Sequence, residues 1–172
     1  IYTGIVHDTG VFKYSCTSRR TMDIAGRMME MGIDYSSIID NSFYKKTYIQ
    51  NQILGRALLE SVLFYDGKCI FSSVTIDEMN FYGVTGKELG GIIEQLRLTD
   101  GVEVAIFLYE TDENQYKVSL RSKKEIDVAR IAAEFGGGGH IRAAGFSAKG
   151  KVHAIVNKIG ELIEQQYNED NA

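Results

Sequence analysis

Four consecutive glycines, Gly136-Gly137-Gly138-Gly139, follow directly on an apolar stretch of helical period at 128–135. Glycine gives up more chain freedom on folding than any other residue, so an unbroken run of it is costly. Something that a side chain would block must offset that cost. The run stops the preceding helix and is followed at once by His140 and Arg142. One reading is a close approach of backbone N–H groups to an anion or a nucleobase. The other is a structural turn with an incidental histidine. A P-loop is excluded, because no Lys-Ser or Lys-Thr follows and no early strand precedes.

The pattern around this loop is that of a small mixed sheet covered by helices. Residues 62–65 and 68–76 are β-rich and separated by Asp66-Gly67, a hairpin signal because glycine accepts the positive φ of a tight primed turn. Residues 102–109 and 115–121, joined by a polar turn, predict a second hairpin, and 143–147 a further strand. Between the hairpins Thr85, with Glu88 at the capping-box position, predicts a helix carrying Leu89, Ile92, Ile93 and Leu96. A last amphipathic helix is expected over 152–167, with the final five residues frayed.

The first quarter reads differently. Residues 2–6 form a short apolar run ending at His7-Asp8-Thr9-Gly10, which predicts a buried strand delivering polar groups at its carboxyl end. Residues 11–17 suggest a further extended piece. Thr21 is expected to cap a helix through Met31, with Ile24, Ala25, Met28 and Met31 on one stripe and Gly32 as its stop. A helix starting at Ser36 or Ser37 and another over 48–59 follow, with a hinge within 43–51. The chain has no proline, which removes one marker of such boundaries.

Composition limits the functions open to such a chain. With 44% hydrophobic and 24% charged residues the chain can build a core, and a net charge of -4 argues against a broad duplex-DNA-binding face while leaving room for a local phosphate site. Cys16 and Cys69 are not at zinc-ligand spacing and read as reduced, partly buried thiols. No apolar run reaches the roughly 20 residues needed to cross a membrane, and no leader pattern starts the chain, so a cytoplasmic location is expected. Opening inside an apparent strand, without an initiator Met, the chain reads as a segment of something longer.

Two polar constellations besides the glycine run carry chemistry. A carboxylate at a strand end, Asp8, suits Mn²⁺ or Mg²⁺, and His7 suits the softer of the two; Asp and Gly also make ordinary turns, so both readings stand. The aspartic-protease reading fails for lack of a second Asp-Thr/Ser-Gly. In Lys117-Val118-Ser119-Leu120-Arg121-Ser122, alternation places Lys117, Ser119 and Arg121 on one face and Val118 and Leu120 toward the core. Arg121 offers a planar fork for a phosphate and Ser122 a hydroxyl donor. A solvated basic edge is the competing reading. Tyr44, Tyr48, Phe81 and Tyr82 are candidates for base stacking or for plain packing.

Taken together, residues 2–12, the Ser119-Leu120-Arg121-Ser122-Lys123 segment and the Gly136-Gly137-Gly138-Gly139-His140-Ile141-Arg142-Ala143-Ala144-Gly145 segment resemble the DHH phosphoesterase family, in its oligoribonuclease and 3′-phosphoadenosine 5′-phosphate phosphatase branch. The resemblance covers essentially the whole chain. It implies an α/β fold: residues 1–46 as the end of a parallel-sheet catalytic domain, 47–59 as a linker helix, and 60–172 as a mixed-sheet substrate-binding domain. It implies Asp8 as a catalytic ligand to one of two Mn²⁺ ions, with Mg²⁺ as the alternative metal. It also implies that Arg121, Ser122, Gly137, Gly138, Gly139 and His140 hold substrate, with His140 in a catalytic position and Arg142 beside it.

The family's Asp-His-His motif is nowhere in the chain. The chain alone is therefore expected to be inactive, the intact protein acting on short RNA or DNA oligonucleotides and nucleotide phosphates. The alternatives are a cyclic-dinucleotide phosphodiesterase and a noncatalytic nucleic-acid-binding module. A homodimer through apolar surface left by an absent half is one assembly that this reading admits.

Overall fold

The computed structural model describes residues 1–170, with side chains through Glu169. It divides into two compact units, Ile1–Thr47 and Tyr48–Ala172.

The first unit is helical: α1 (Tyr2–Asp8), α2 (Arg19–Glu30) and α3 (Tyr35–Ile39), the last running into a π-helical turn at Asp40–Tyr44. The expected opening strand is not there. Tyr2 and Val6, one helical turn apart, are the buried pair, and they pack with Ala25, Phe12 and Met28. A five-residue apolar run cannot by itself tell a period of 3.6 from a buried strand, and here the helix wins. The extended piece expected over 11–17 is replaced by a left-handed turn. Gly10, Val11 and Phe12 have φ of 55°, 58° and 63°, and the Thr9 hydroxyl fixes them by donating to the Ile5 carbonyl at 2.6 Å and accepting the Phe12 N–H at 3.0 Å.

Helix α2 begins three residues earlier than expected, because Ser18 is its cap. Its hydroxyl accepts the Thr21 N–H at 3.2 Å, and Thr21 returns the contact to the Ser18 N–H at 3.2 Å. Of the expected stripe, Ala25 and Met28 pack inward while Ile24 and Met31 are exposed. Gly32, at φ 81°, does follow the helix end. Asp34, rather than Ser36 or Ser37, opens α3 by accepting the Ser37 N–H at 3.0 Å.

The second unit is an α/β domain. Its elements are α4 (Tyr48–Leu59), β1 (Val62–Phe64), β2 (Cys69–Val74), α5 (Ile76–Tyr82), α6 (Ile92–Arg97), β3 (Val104–Asp112), β4 (Gln115–Ser122), α7 (Val128–Glu134), β5 (Gly138–His140), β6 (Ala143–Lys149) and α8 (Val152–Asp170). The sheet order is β1-β2-β3-β4-β6-β5. Only β2 and β3 run parallel among these neighbours, so the sheet is mixed. Both expected hairpins form, the first through Tyr65, Asp66 and Gly67 at φ of 56°, 53° and 79°. Helix α8 extends through Asp170, into the five residues expected to fray; residues 171 and 172 lie outside the described residues.

Helix α5 was not expected, although Thr75 and Glu78 spell its capping box. The Thr75 hydroxyl accepts the Glu78 N–H at 3.2 Å, and the Glu78 carboxylate accepts the Thr75 N–H at 2.8 Å. The Thr85–Glu88 pair also forms, at 2.7 Å, yet regular helix begins only at Ile92, after Gly91 at φ 94°.

Alternation along β3 divides the core in two. Val104, Ile106 and Leu108 pack with Val118, Leu120 and Phe146 beneath α7 and α8. Ala105 and Phe107 pack on the other side with Ile53, Met79, Ile92, Ile93 and Leu96 of α4, α5 and α6. Among the described residues, none of β4, β5 or β6 joins this second core. The helices of that face therefore cover only part of the sheet. Cys69 is wholly buried in the first core, and burial, with the Glu103 carboxylate adding to it, pushes its thiol up to about 12. Cys16 is exposed rather than partly buried.

Candidate functional site

The four glycines have different jobs. Gly136, at φ 73°, and Gly137 close α7 in a Schellman arrangement, their N–H groups donating to the carbonyls of Ala133 and Ala132 at 2.9 Å each. Those two donors are thus spent on the helix end rather than aimed at a ligand. A Cβ on Gly137 would fall within 3.0 Å of Gly145 and Phe146, and one on Gly139, at φ 152°, within 3.0 Å of Ala143 and Ala144. Gly138 is the exception. Its φ is unremarkable, nothing lies within 4 Å of where a side chain would start, and it is exposed. The fold does not require glycine there, and what an added Cβ would obstruct is the open space above β5.

Strand register gathers the polar groups over that space. Arg121 of β4 pairs with Ala143 of β6, which pairs with His140 of β5. The next row is Ser119, Gly145 and Gly138, and the row beyond holds Lys117 and Ser147. Residues directly opposed in an antiparallel ladder share a face, as do alternate residues along a strand. All of these stand on the face opposite Val118, Leu120, Ala144 and Phe146, and all are exposed or half-buried. The result is a floor of glycine, alanine and serine, with Arg121 and His140 at one end and Lys117 at the other. A groove of about 480 Å³ lies at the Lys117 end.

Arg121 is held in place. Its Nε donates to Glu94 of α6 at 2.7 Å and its Nη1 to the Leu120 carbonyl at 3.0 Å. Glu94 also accepts from Arg97 at 3.1 Å, so one carboxylate sits between two guanidinium groups. Glu94 was not singled out from the sequence. Its i,i+3 spacing to Arg97 is visible there, but its pairing with Arg121, 27 residues on, is not.

Ser122 and Arg142 are placed elsewhere. The Ser122 side chain is buried among the core groups, its hydroxyl donating to the Ile126 carbonyl at 2.7 Å, and Arg142 donates to the same carbonyl at 2.8 Å. Both tie the β4–α7 connection together. Phe81 and Tyr82 pack edge to face on α5 at 5.1 Å. The aromatics that line the groove are Tyr109 and Phe146, neither of them among the four named from the sequence.

Asp8 ends a helix rather than a strand. It is exposed, and its carbonyl accepts from the Cys16 thiol at 3.4 Å. The His7 ring packs on Phe43 at 4.6 Å between centroids. Among the described residues, no group of three or more His, Cys, Asp or Glu side chains is arranged to hold a metal ion. A lone exposed carboxylate does not fit a two-metal centre, which needs several such ligands around both ions. What this chain's arrangement can do is bind an anion and lay a flat group beside it.

The domain carrying the floor matches a family model: that of the DHHA1 domain fits residues 66–165. The chain belongs to the DHHA1 family. The match takes in β2 through β6 and most of α8. A relative from Thermus thermophilus, a bifunctional oligoribonuclease and PAP phosphatase NrnA, is 27% identical over 151 residues, covering 87% of this chain and 44% of the relative. The Bacillus subtilis protein of the same description is 26% identical over 147 residues, covering 86% and 46%. The crystal structure of an exopolyphosphatase-related protein from Bacteroides fragilis matches with a TM-score of 0.87 at 27% identity, over 95% of this chain and 48% of that one. The chain thus spans less than half the length of these relatives. No helix among the described residues is long and apolar enough to cross a membrane.

Proposed function

We propose that the open face of β4, β6 and β5 is the nucleotide-phosphate-binding lobe of a manganese-dependent DHH phosphoesterase. In this reading the whole protein hydrolyses short RNA or DNA oligonucleotides to mononucleotides and removes the 3′ phosphate of 3′-phosphoadenosine 5′-phosphate. The observation that carries it is Gly138, a glycine with open space above it, lying between the Arg121–His140 row and the groove. A bare floor lets a sugar or base lie against the backbone, while a planar guanidinium fixed through its Nε keeps further N–H donors for phosphate oxygens. The Thermus and Bacillus relatives are each described as a bifunctional oligoribonuclease and PAP phosphatase, which supports this reading.

The roles then divide. Arg121 and His140 hold phosphate, Gly138 keeps the floor bare, Gly139 lets β5 lie close to β6, and Ser122 and Arg142 act through the connection they brace. Residues 1–46 belong to the catalytic part, 47–59 link, and 60–172 bind substrate. Asp8 contributes one carboxylate toward Mn²⁺, or Mg²⁺, in the company of ligands that this chain does not supply.

The test is hydrolysis of a 5′-phosphorylated trinucleotide and of 3′-phosphoadenosine 5′-phosphate by the complete gene product with Mn²⁺. Activity lost in Asp8→Ala, and KM raised in Arg121→Ala, supports the reading. Full activity in both variants, or none on either substrate in the unmodified protein, refutes it.

A further inference from the structure

We infer that the cavity walled by Lys68, Lys123, Lys124 and Tyr167 is a second anion site, one that takes a compact oxyanion such as pyrophosphate. It does not include the Arg121–His140 row and does not depend on how that row is read. Its volume is about 280 Å³, and Glu103 and Glu125 also stand in its wall. The start of β2, the approach to β3, the end of β4 and the last turn of α8 meet there.

Charge is the first argument. Arg56, Arg97, Arg121, Arg130 and Lys158 each pair with a glutamate. Lys68, Lys123 and Lys124 do not: among the described residues none of the three forms an ion pair, although two carboxylates share their cavity. Those carboxylates are engaged with the wall instead. One Glu103 oxygen accepts the N–H groups of Lys124, Glu125 and Ile126 at 2.8, 2.7 and 3.3 Å. Glu125 is turned to the Tyr167 hydroxyl, whose pKa burial first and that carboxylate second hold above the usual range. The three ammonium groups are left to meet an entering anion.

Anchoring is the second. The Lys68 ammonium stands 4.8 Å over the centroid of the Tyr167 ring, and that ring is stacked on Tyr65 at 6.1 Å with 14° between planes. A cation–π contact uses the charge without consuming an N–H. Lys123 gives one hydrogen to the Thr99 carbonyl at 3.0 Å and keeps two. Both long side chains are thus partly ordered before a ligand arrives, which lowers the entropy that binding costs. An ammonium acts as a compact point charge with rotatable donors, which suits tetrahedral phosphate oxygens. Size decides the class of ligand: cavities for larger molecules run from roughly 300 Å³ upward, so a compact anion fits better than a nucleotide.

The test is a low-salt titration of the metal-free, ¹⁵N-labelled chain with pyrophosphate in EDTA. Expected are saturable shifts of the Gly101, Glu103, Lys124 and Glu125 amides, present also in Arg121→Ala. Lys68→Gln and Lys123→Gln each weaken the binding about two- to fivefold, on the scale of an exposed ion pair, and added salt weakens it further. Lys158→Gln removes the same charge from another part of the domain and leaves the affinity unchanged. No saturation at these amides below about 10 mM, or shifts that vanish in Arg121→Ala, overturn the inference. So do lysine variants that bind as the unmodified chain does, or a Lys158→Gln that weakens binding as much as they do.

Discussion

Replacing Gly138 and Gly139 one at a time with alanine separates what the glycine run does for the fold from what it does for a ligand. At Gly139 the new Cβ lands within 3.0 Å of the Ala143 and Ala144 backbone, on a residue whose φ of 152° side-chain-bearing residues rarely adopt. Backbone neighbours cannot swing aside, so strain of about 1–3 kcal/mol and overpacking of similar size apply together. A loss of about 2–4 kcal/mol is expected, near the upper end for single substitutions. For a unit of this size that lowers Tm by roughly 8–16 °C.

At Gly138 nothing lies within 4 Å and φ is ordinary. Alanine there restricts the unfolded chain, so stability is expected to stay level or rise by up to about 1 kcal/mol. The same methyl group stands on the floor between Arg121 and Lys117, and nucleotide affinity is expected to fall at least about tenfold, equivalent to about 1.4 kcal/mol. Scanning calorimetry gives the first quantity, and titration with 3′-phosphoadenosine 5′-phosphate in EDTA the second. Gly138→Ala binding as the unmodified chain does refutes the use of this floor by ligand. Gly139→Ala melting unchanged refutes the close approach of β5 to β6.

Glu94→Gln keeps an acceptor for the Arg121 Nε while removing a charge beside it, so phosphate affinity at low salt is expected to rise about 2- to 5-fold, on the scale of an exposed ion pair, and the gain to shrink at high salt. Ser122→Ala removes one of the two donors to the Ile126 carbonyl, Arg142 keeping the other, and is expected to cost about 0.5–1.5 kcal/mol in urea unfolding while changing nucleotide affinity less than twofold. Raising the pH is expected to destabilise the second unit. Burial raises the Cys69 thiol to about 12 and raises Tyr167 as well, so the unfolded chain deprotonates first. That contribution is fully present below the ordinary thiol pKa and is lost between about pH 9 and the folded value. A flat midpoint in urea from pH 8 to 11 contradicts it.

Periodicity made the second unit legible and misled in the first. Val118 and Leu120 face the core and Lys117, Ser119 and Arg121 the open side, as strict alternation over eight residues dictates. Residues 2–6 are too few for a period to show, and the pair that decides the outcome, Tyr2 and Val6, is buried by Ala25 and Met28 far along the chain. Helix α5 was legible in Thr75 and Glu78 but hidden by the apolar run before it. The candidate site was half visible: Arg121, His140 and the glycines stand out by type, whereas the meeting of Arg121, His140 and Gly138 on one face depends on β4–β6–β5 register, which no local pattern encodes. Ser122 shows the same limit from the other side. One position along β4 from Arg121, it points into the core, where its hydroxyl holds a carbonyl.

The most direct measurement is calorimetric titration of the metal-free chain with 3′-phosphoadenosine 5′-phosphate, alongside Arg121→Ala and His140→Ala. The account predicts saturable binding that each substitution weakens by about tenfold or more, as expected for losing a hydrogen bond to a charged group, with both variants melting within a few degrees of the unmodified chain. Binding that survives both substitutions, or an unmodified chain that takes up no nucleotide, contradicts it.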